Sequence, residues 1–267
     1  MAKNSKHWEK LMATEGDAKI AKEGRDPMEE GLKGISWFQN SKRIVSAKIK
    51  KTQETFGEEI GNSVTAGVLA IYLLFLLPFA AVSAYIKAPE GMGIIDSMAT
   101  SAFVLFAFVA NLFTTIYHSM KKGTGQKRVF RKLDNIMVYF AIFGVFVPIC
   151  LSLVKGSLGL GILIAEGALA ILGTLLTAIP HAENKVARKF AFLTYIVMGI
   201  VGIPLIKPLH AAASTACFWL IIAGVLAYIV GLFFYSGKKF KFSHMVWHLI
   251  VLGASACHVI AFVYLLR

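Results

Sequence analysis

From residue 62 onward the chain alternates long apolar stretches with short polar connections. Seven stretches stand out: Asn62 to Ile86, Ser97 to His118, Asn135 to Val154, Ser157 to Ile179, Phe190 to Ile206, Ala211 to Tyr235 and His244 to Leu266. A helix rises 1.5 Å per residue, so about 20 apolar residues cross the roughly 30 Å of hydrocarbon in a bilayer. The pattern predicts an all-α, polytopic membrane protein built as a seven-transmembrane helix bundle. The fifth stretch is the shortest, and its boundary is read from the prolines of IPLIKP, which end it at Ile206. Short connections make consecutive helices antiparallel neighbours in one bundle, with no second domain.

Ahead of these stretches, residues 1–58 mix charges of both signs with Trp8, Trp37, Phe38, Ile44, Ile49 and Phe56. Two readings fit. One is an amphipathic helix lying on the inner leaflet; the other is a solvated tail, because Gly31, Gly34 and Gly57 interrupt the helical spacing. The chain thus divides into an N-terminal segment, residues 1–58, and a seven-span domain, residues 59–267.

Composition agrees: 57% of residues are hydrophobic and 16% charged, too apolar for an ordinary soluble domain. The formal charge of +13 invites a nucleic-acid reading, but its distribution points elsewhere. Twelve Lys and Arg residues precede Glu59, six lie in Lys121 to Lys132, three in Lys185 to Lys189 and three in Lys238 to Lys241. The alternate connections carry only Lys87, Lys155 and Lys207, with Arg267 at the end. Short basic loops resist translocation, so the N-terminus is expected in the cytoplasm and the C-terminus outside it. No nucleic-acid partner is implied. No secretory leader is expected either, since residues 1–60 lack its apolar core. Cys150, Cys217 and Cys257 show no CxxC spacing and read as packing residues.

Ionisable side chains inside spans need a partner or a function. The topology puts several of them at one depth. His118 ends the second span, Asp134 opens the third, and His244 and His248 open the seventh, all on the cytoplasmic side. Residues four apart share a helix face, so His244 and His248 can hold one ion together, with His118 completing a three-histidine set. Zinc suits such a set best, with three imidazoles and an open position as the catalytic pattern. Asp134 then orients a ligand ring or holds a water. HMVWH lacks the Glu of the metalloprotease H-E-x-x-H box.

His258 lies about 15 Å beyond His248, too far to share the ion. It reads as a buried residue hydrogen-bonded to a neighbouring helix, or as a proton-handling or substrate-contacting group, and mid-span Glu166 reads likewise. Glu59 reads either as a capping or inter-helix hydrogen-bonding group under the metal or as a solvated helix end.

Four blocks, EEIGNSVTAG, TTIYHSM, KLDNIMVYFAIFGVFVP and HMVWHLIVLGASACH, occur in that order on seven spans. Together they resemble the hemolysin III family and its relatives, the progestin and adipoQ receptors, from about Glu58 to the C-terminus. The resemblance implies a zinc site near the inner leaflet, with metal ligands at His118, His244 and His248 and the third-span aspartate at Asp134. It also shows two departures: Ala66 stands where the family usually has a histidine, and Thr114 where it has a serine. Losing the histidine bears on a proton relay; Thr114 keeps a hydroxyl.

The expected function is that of a zinc-binding membrane protein, a lipid amide or ester hydrolase or a membrane-lipid homeostasis factor. Asp134 would position water and Thr114 would assist a developing oxyanion. Membrane lipids are the expected partners, one of them the substrate, and a bacterial cytoplasmic membrane is the expected location. Two alternatives remain open: a pore-forming cytolysin, which the concentration of polarity at one end disfavours, and a non-catalytic protein with structural zinc.

Overall fold

The computed structural model describes residues 55–178, 185–235 and 242–266. Residues 1–54, which carry the expected interfacial helix or tail, lie outside the described residues, as do Lys238 to Lys241. The described residues form helices and no strands. Seven of the helices are long and apolar enough to cross a membrane: Phe56–Lys87, Gly93–Ser119, Gly125–Leu153, Ser157–Ala178, Lys189–Ala212, Thr215–Tyr235 and Ser243–Tyr264. These are the first to seventh spans below.

Neighbours in sequence pack side by side from the first span to the fifth and again from sixth to seventh, and the seventh also lies against the first. The first span therefore touches both the second and the seventh. The third is central, with 61% of its most apolar stretch buried against 22% to 44% in the others. The main core joins Leu73, Phe103, Val104, Ile221 and Phe262. A second cluster packs Tyr139, Ala170 and Met198 between the third, fourth and fifth spans. Large side chains such as Phe75 and Ile86, about three-quarters exposed, face outward, as lipid contact requires.

Local chemistry sets the ends. Thr55 and Glu58 form a capping box, with the Thr55 hydroxyl accepting from Glu58 N at 3.3 Å and the Glu58 carboxylate accepting from Thr55 N at 2.5 Å. The first span consequently begins at Phe56, six residues before the expected Asn62. Thr124 caps the third span by accepting from Lys127 N at 3.2 Å, which extends that helix ten residues ahead of Asn135, through its basic turns. Polarity had hidden this extension.

The fifth span differs from expectation too. Pro204 sits in a 3-10 turn, Ile203–Leu205, and Pro208 in the first turn of the helix Ile206–Ala212, where no intrahelical N–H is required. The prolines therefore interrupt the α-helix with a 3-10 turn without ending the span. The break falls at Ala213 and Ser214, whose hydroxyl accepts from Cys217 N at 3.2 Å to start the sixth span. Two π-helical segments, Ile149–Leu153 and Ile260–Tyr264, finish the third and seventh spans. Cys150, Cys217 and Cys257 are free thiols.

Close approach of helices depends on small residues. A Cβ added at Gly173 would lie 2.3 Å from a ring carbon of fully buried Tyr139, whose hydroxyl donates to Ala191 O at 2.8 Å. Gly161, on the same helix, has nothing within 4 Å. Gly173→Ala should therefore cost about 1–3 kcal/mol through overpacking, whereas Gly161→Ala should stay within about 0.5 kcal/mol of the parent. Thermal unfolding of the purified variants in detergent checks the contrast.

Candidate metal centre

The second span ends in an uninterrupted helical turn through His118, and the seventh span begins at Ser243, so both present imidazoles at the same end of the bundle. One turn separates His244 from His248, placing both rings on the face toward the second span. Nε2 of His248 lies 3.2 Å from Nε2 of His244 and 3.3 Å from Nε2 of His118. The three donor atoms all fall within 4.8 Å of one another, a grouping able to hold a metal ion. Nitrogens bound at the usual zinc distance around a tetrahedral ion are separated by about 3.3–3.4 Å. The observed spacing fits that edge. As hydrogen bonds alone the contacts are long, and three Nε2 atoms turned toward each other share few protons.

Asp134 is outside this group. The Thr114 hydroxyl donates to Asp134 Oδ1 and also reaches the Ala110 carbonyl at 3.1 Å. The second and third spans are thereby joined one turn from His118, and the two departures from the family pattern come into view. Thr114 makes its contact through the hydroxyl it shares with serine. Ala66 is buried among the helices and offers no polar atom.

The first span supplies what the sequence reading left undecided. Glu59 is an inter-helix group: its Oε2 lies 2.8 Å from His118 Nδ1 and 2.9 Å from Lys127 Nζ, and Lys122 Nζ is 3.6 Å from Oε1. Lys127 also donates to Met120 O at 3.1 Å and lies 4.7 Å from the centre of the Tyr117 ring. Glu58 and Lys127 escaped the sequence reading. The available signal was the tandem EE at the head of an apolar run, and a lysine three residues past a capping threonine.

A cavity of about 480 Å³ opens beside the cluster between the first and second spans. Glu59 and His118 form its inner wall, Phe56, Ile60 and Val64 its apolar side, and Lys121 and Lys122 its rim. His244 and His248 do not line it, so the cavity meets His118 on the Glu59 side.

Elsewhere, His258 is 1% exposed and its Nε2 lies 3.2 Å from Ile221 O, the hydrogen bond to a neighbouring helix that its buried reading requires. Glu166 is equally buried, but neither carboxylate oxygen has a hydrogen-bond partner among the described residues.

Ser63 Oγ and Ser119 Oγ are 2.7 Å apart where the first and second spans meet beside the cavity. The double variant Ser63→Cys, Ser119→Cys should therefore cross-link on mild oxidation, read as a mobility shift on a non-reducing gel, while either single variant does not.

A model of the Haemolysin-III related family matches residues 55–259. Hemolysin-3 of Bacillus cereus is 32% identical over 215 residues, covering 79% of this chain and 93% of that protein. The Hemolysin-3 homolog of Bacillus subtilis (strain 168) is 33% identical over 211 residues, covering 76% and 91%.

Proposed function

Because the chain belongs to the Haemolysin-III related family and gathers three imidazoles at one end of a seven-span bundle, we propose that it is a multi-pass membrane zinc protein. In this reading the centre lies near the inner leaflet of a bacterial cytoplasmic membrane, and the protein hydrolyses an amide or ester bond of a membrane lipid. The observation that carries it is the 3.2 Å and 3.3 Å spacing of Nε2 atoms from two different helices. The orientation rests on the basic residues crowded before Glu59 and in Lys121 to Lys132, on the histidine side. That arrangement leaves the N-terminal segment cytoplasmic and the C-terminus outside.

His118, His244 and His248 hold the metal. Zinc bound there supplies Lewis acidity, polarising a carbonyl and making water a usable nucleophile near neutral pH. Asp134 positions the attacking water by a hydrogen bond, and Thr114 holds the Asp134 carboxylate in place. A Thr114 hydroxyl directed at Asp134 is a positioning group; turned away, it can donate to the oxyanion that forms at the substrate carbonyl. A carboxylate beside the cluster but outside it favours three protein ligands and an open position, the catalytic pattern, over a closed structural site. Exposed apolar side chains around the spans keep the protein in contact with lipid, the pool from which such a substrate is drawn.

Purified protein should contain about one zinc per chain, and His244→Ala and His248→Ala should each lose it, as read by elemental analysis. Unchanged stoichiometry in both would defeat the site. Asp134→Asn should retain zinc yet lower hydrolysis of acyl amides in mixed micelles by about 10²–10⁴-fold. Reconstituted vesicles that leak ions while no lipid is turned over would point to pore formation in place of hydrolysis.

A further inference from the structure

The first span places no ligand in the histidine cluster, yet it holds both helices that do. Its two tandem carboxylates, Glu58 and Glu59, are 7% and 8% exposed and point to different partners. Glu59 Oε2 meets His118 Nδ1 at 2.8 Å, on the side of the ring opposite the Nε2 that faces the other imidazoles. Glu58 Oε1 accepts from Phe242 N at 2.6 Å, at the entrance to the seventh span and two residues before His244.

A carboxylate offers only acceptor atoms, so the Nδ1 of a neutral His118 must carry the proton of this hydrogen bond. Nε2 is then left with a lone pair turned into the cluster, the state a metal ligand needs. The same bond stops the ring from turning about its Cβ–Cγ axis, which would carry Nε2 away from His248. Lys127, at 2.9 Å from the same oxygen, and Lys122, at 3.6 Å from the other, supply the positive charge that a buried carboxylate requires. Glu59 is thus held from two sides before it holds His118.

Among the described residues, the N-cap of the seventh span is Phe242, with no side-chain cap hydrogen bond. Phe242, just before it, has φ +68°, the one non-glycine residue among the described ones in the left-handed region. A phenylalanine keeps that conformation only when surroundings impose it. The Glu58 bond to Phe242 N is such a restraint, and it sets the angle at which the helix bearing His244 and His248 starts.

We propose that Glu58 and Glu59 are paired positioning residues that preorganise the metal centre, Glu59 by fixing the His118 ring and Glu58 by fixing the start of the seventh span. The inference rests on the metal-centre reading above. It makes the first span, which binds no ion, a determinant of affinity.

The test uses full-length protein in detergent, with zinc affinity measured by competition against a chromophoric chelator and the ligand field read from the visible absorption of bound Co²⁺. Glu59→Gln keeps the side-chain shape and removes the charge; it should weaken zinc by about 10–100-fold, the usual consequence of losing such a partner, and shift the Co²⁺ bands. Glu58→Ala should weaken zinc as well. Adding Phe242→Gly, which removes the left-handed constraint, should recover part of that loss. Lys121→Ala, a change on the cavity rim, should leave affinity and spectrum unaltered. Thermal unfolding and gel filtration verify that each variant is folded; should Glu58→Ala not fold, Glu58→Gln takes its place.

Folded Glu59→Gln protein with wild-type affinity and an unshifted Co²⁺ spectrum overturns the role of Glu59, and wild-type affinity in the folded Glu58 variant overturns that of Glu58. Wild-type protein that binds neither ion overturns the metal-centre reading and this inference with it. The two failures are therefore distinguishable.

Discussion

A polar side chain on a helix in hydrocarbon has no water to turn to, so a partner inside the bundle stabilises it strongly. This constraint organises the end of the molecule that carries the histidines. His118 is 3% exposed, and every polar atom of its ring faces another side chain: Glu59 on Nδ1, His248 on Nε2. Asp134 is met by Thr114. Each pair joins two helices, so the polar contacts that satisfy the side chains also lock the second span to the first, third and seventh.

The rest of the bundle is built from a different force. Between lipid-facing helices there is little hydrophobic drive, and association depends on close van der Waals contact. Gly173 against Tyr139, Gly224 against His258 and Gly231 against Trp247 are places where a missing side chain lets a large ring approach. The third span, central and most buried, takes part in several such contacts, with Gly202 close to its Phe146 and its own Gly144 close to Phe106. Tyr139 and Tyr195 add hydrogen bonds to backbone carbonyls, tying third to fifth at Ala191 and Asn135. Packing holds the helices at their distances, and the polar end decides how they are rotated.

The two arrangements meet at the first span. Because it lies between the second and seventh spans, two consecutive acidic residues at its head can reach one helix each. On an α-helix neighbouring residues point about 100° apart, so a tandem pair is suited to address two flanking partners. That geometry explains why a helix with no ligand carries two of the four buried carboxylates among the described residues.

Much of this was legible in the order of residues. Seven apolar stretches determine an all-helical fold of seven spans, because length and apolarity alone decide what can cross hydrocarbon. Helical periodicity put His244 and His248 on one face. Assigning His118 to the same end followed from counting spans, which needs no side-chain detail. What the sequence could not decide was set by neighbours distant along the chain. Helix ends at Thr55 and Thr124 lay inside polar stretches that hydropathy reads as loop, and the prolines of IPLIKP sit in a 3-10 turn and the helical turn after it, within a span that sequence rules would end there. The partner of Glu59 depended on which helix packs beside the first and how it is rotated. The contact of Glu58 with Phe242, 184 residues away, has no local signature at all. Composition determines that a segment enters the membrane; only the packed bundle determines which carboxylate faces which ring.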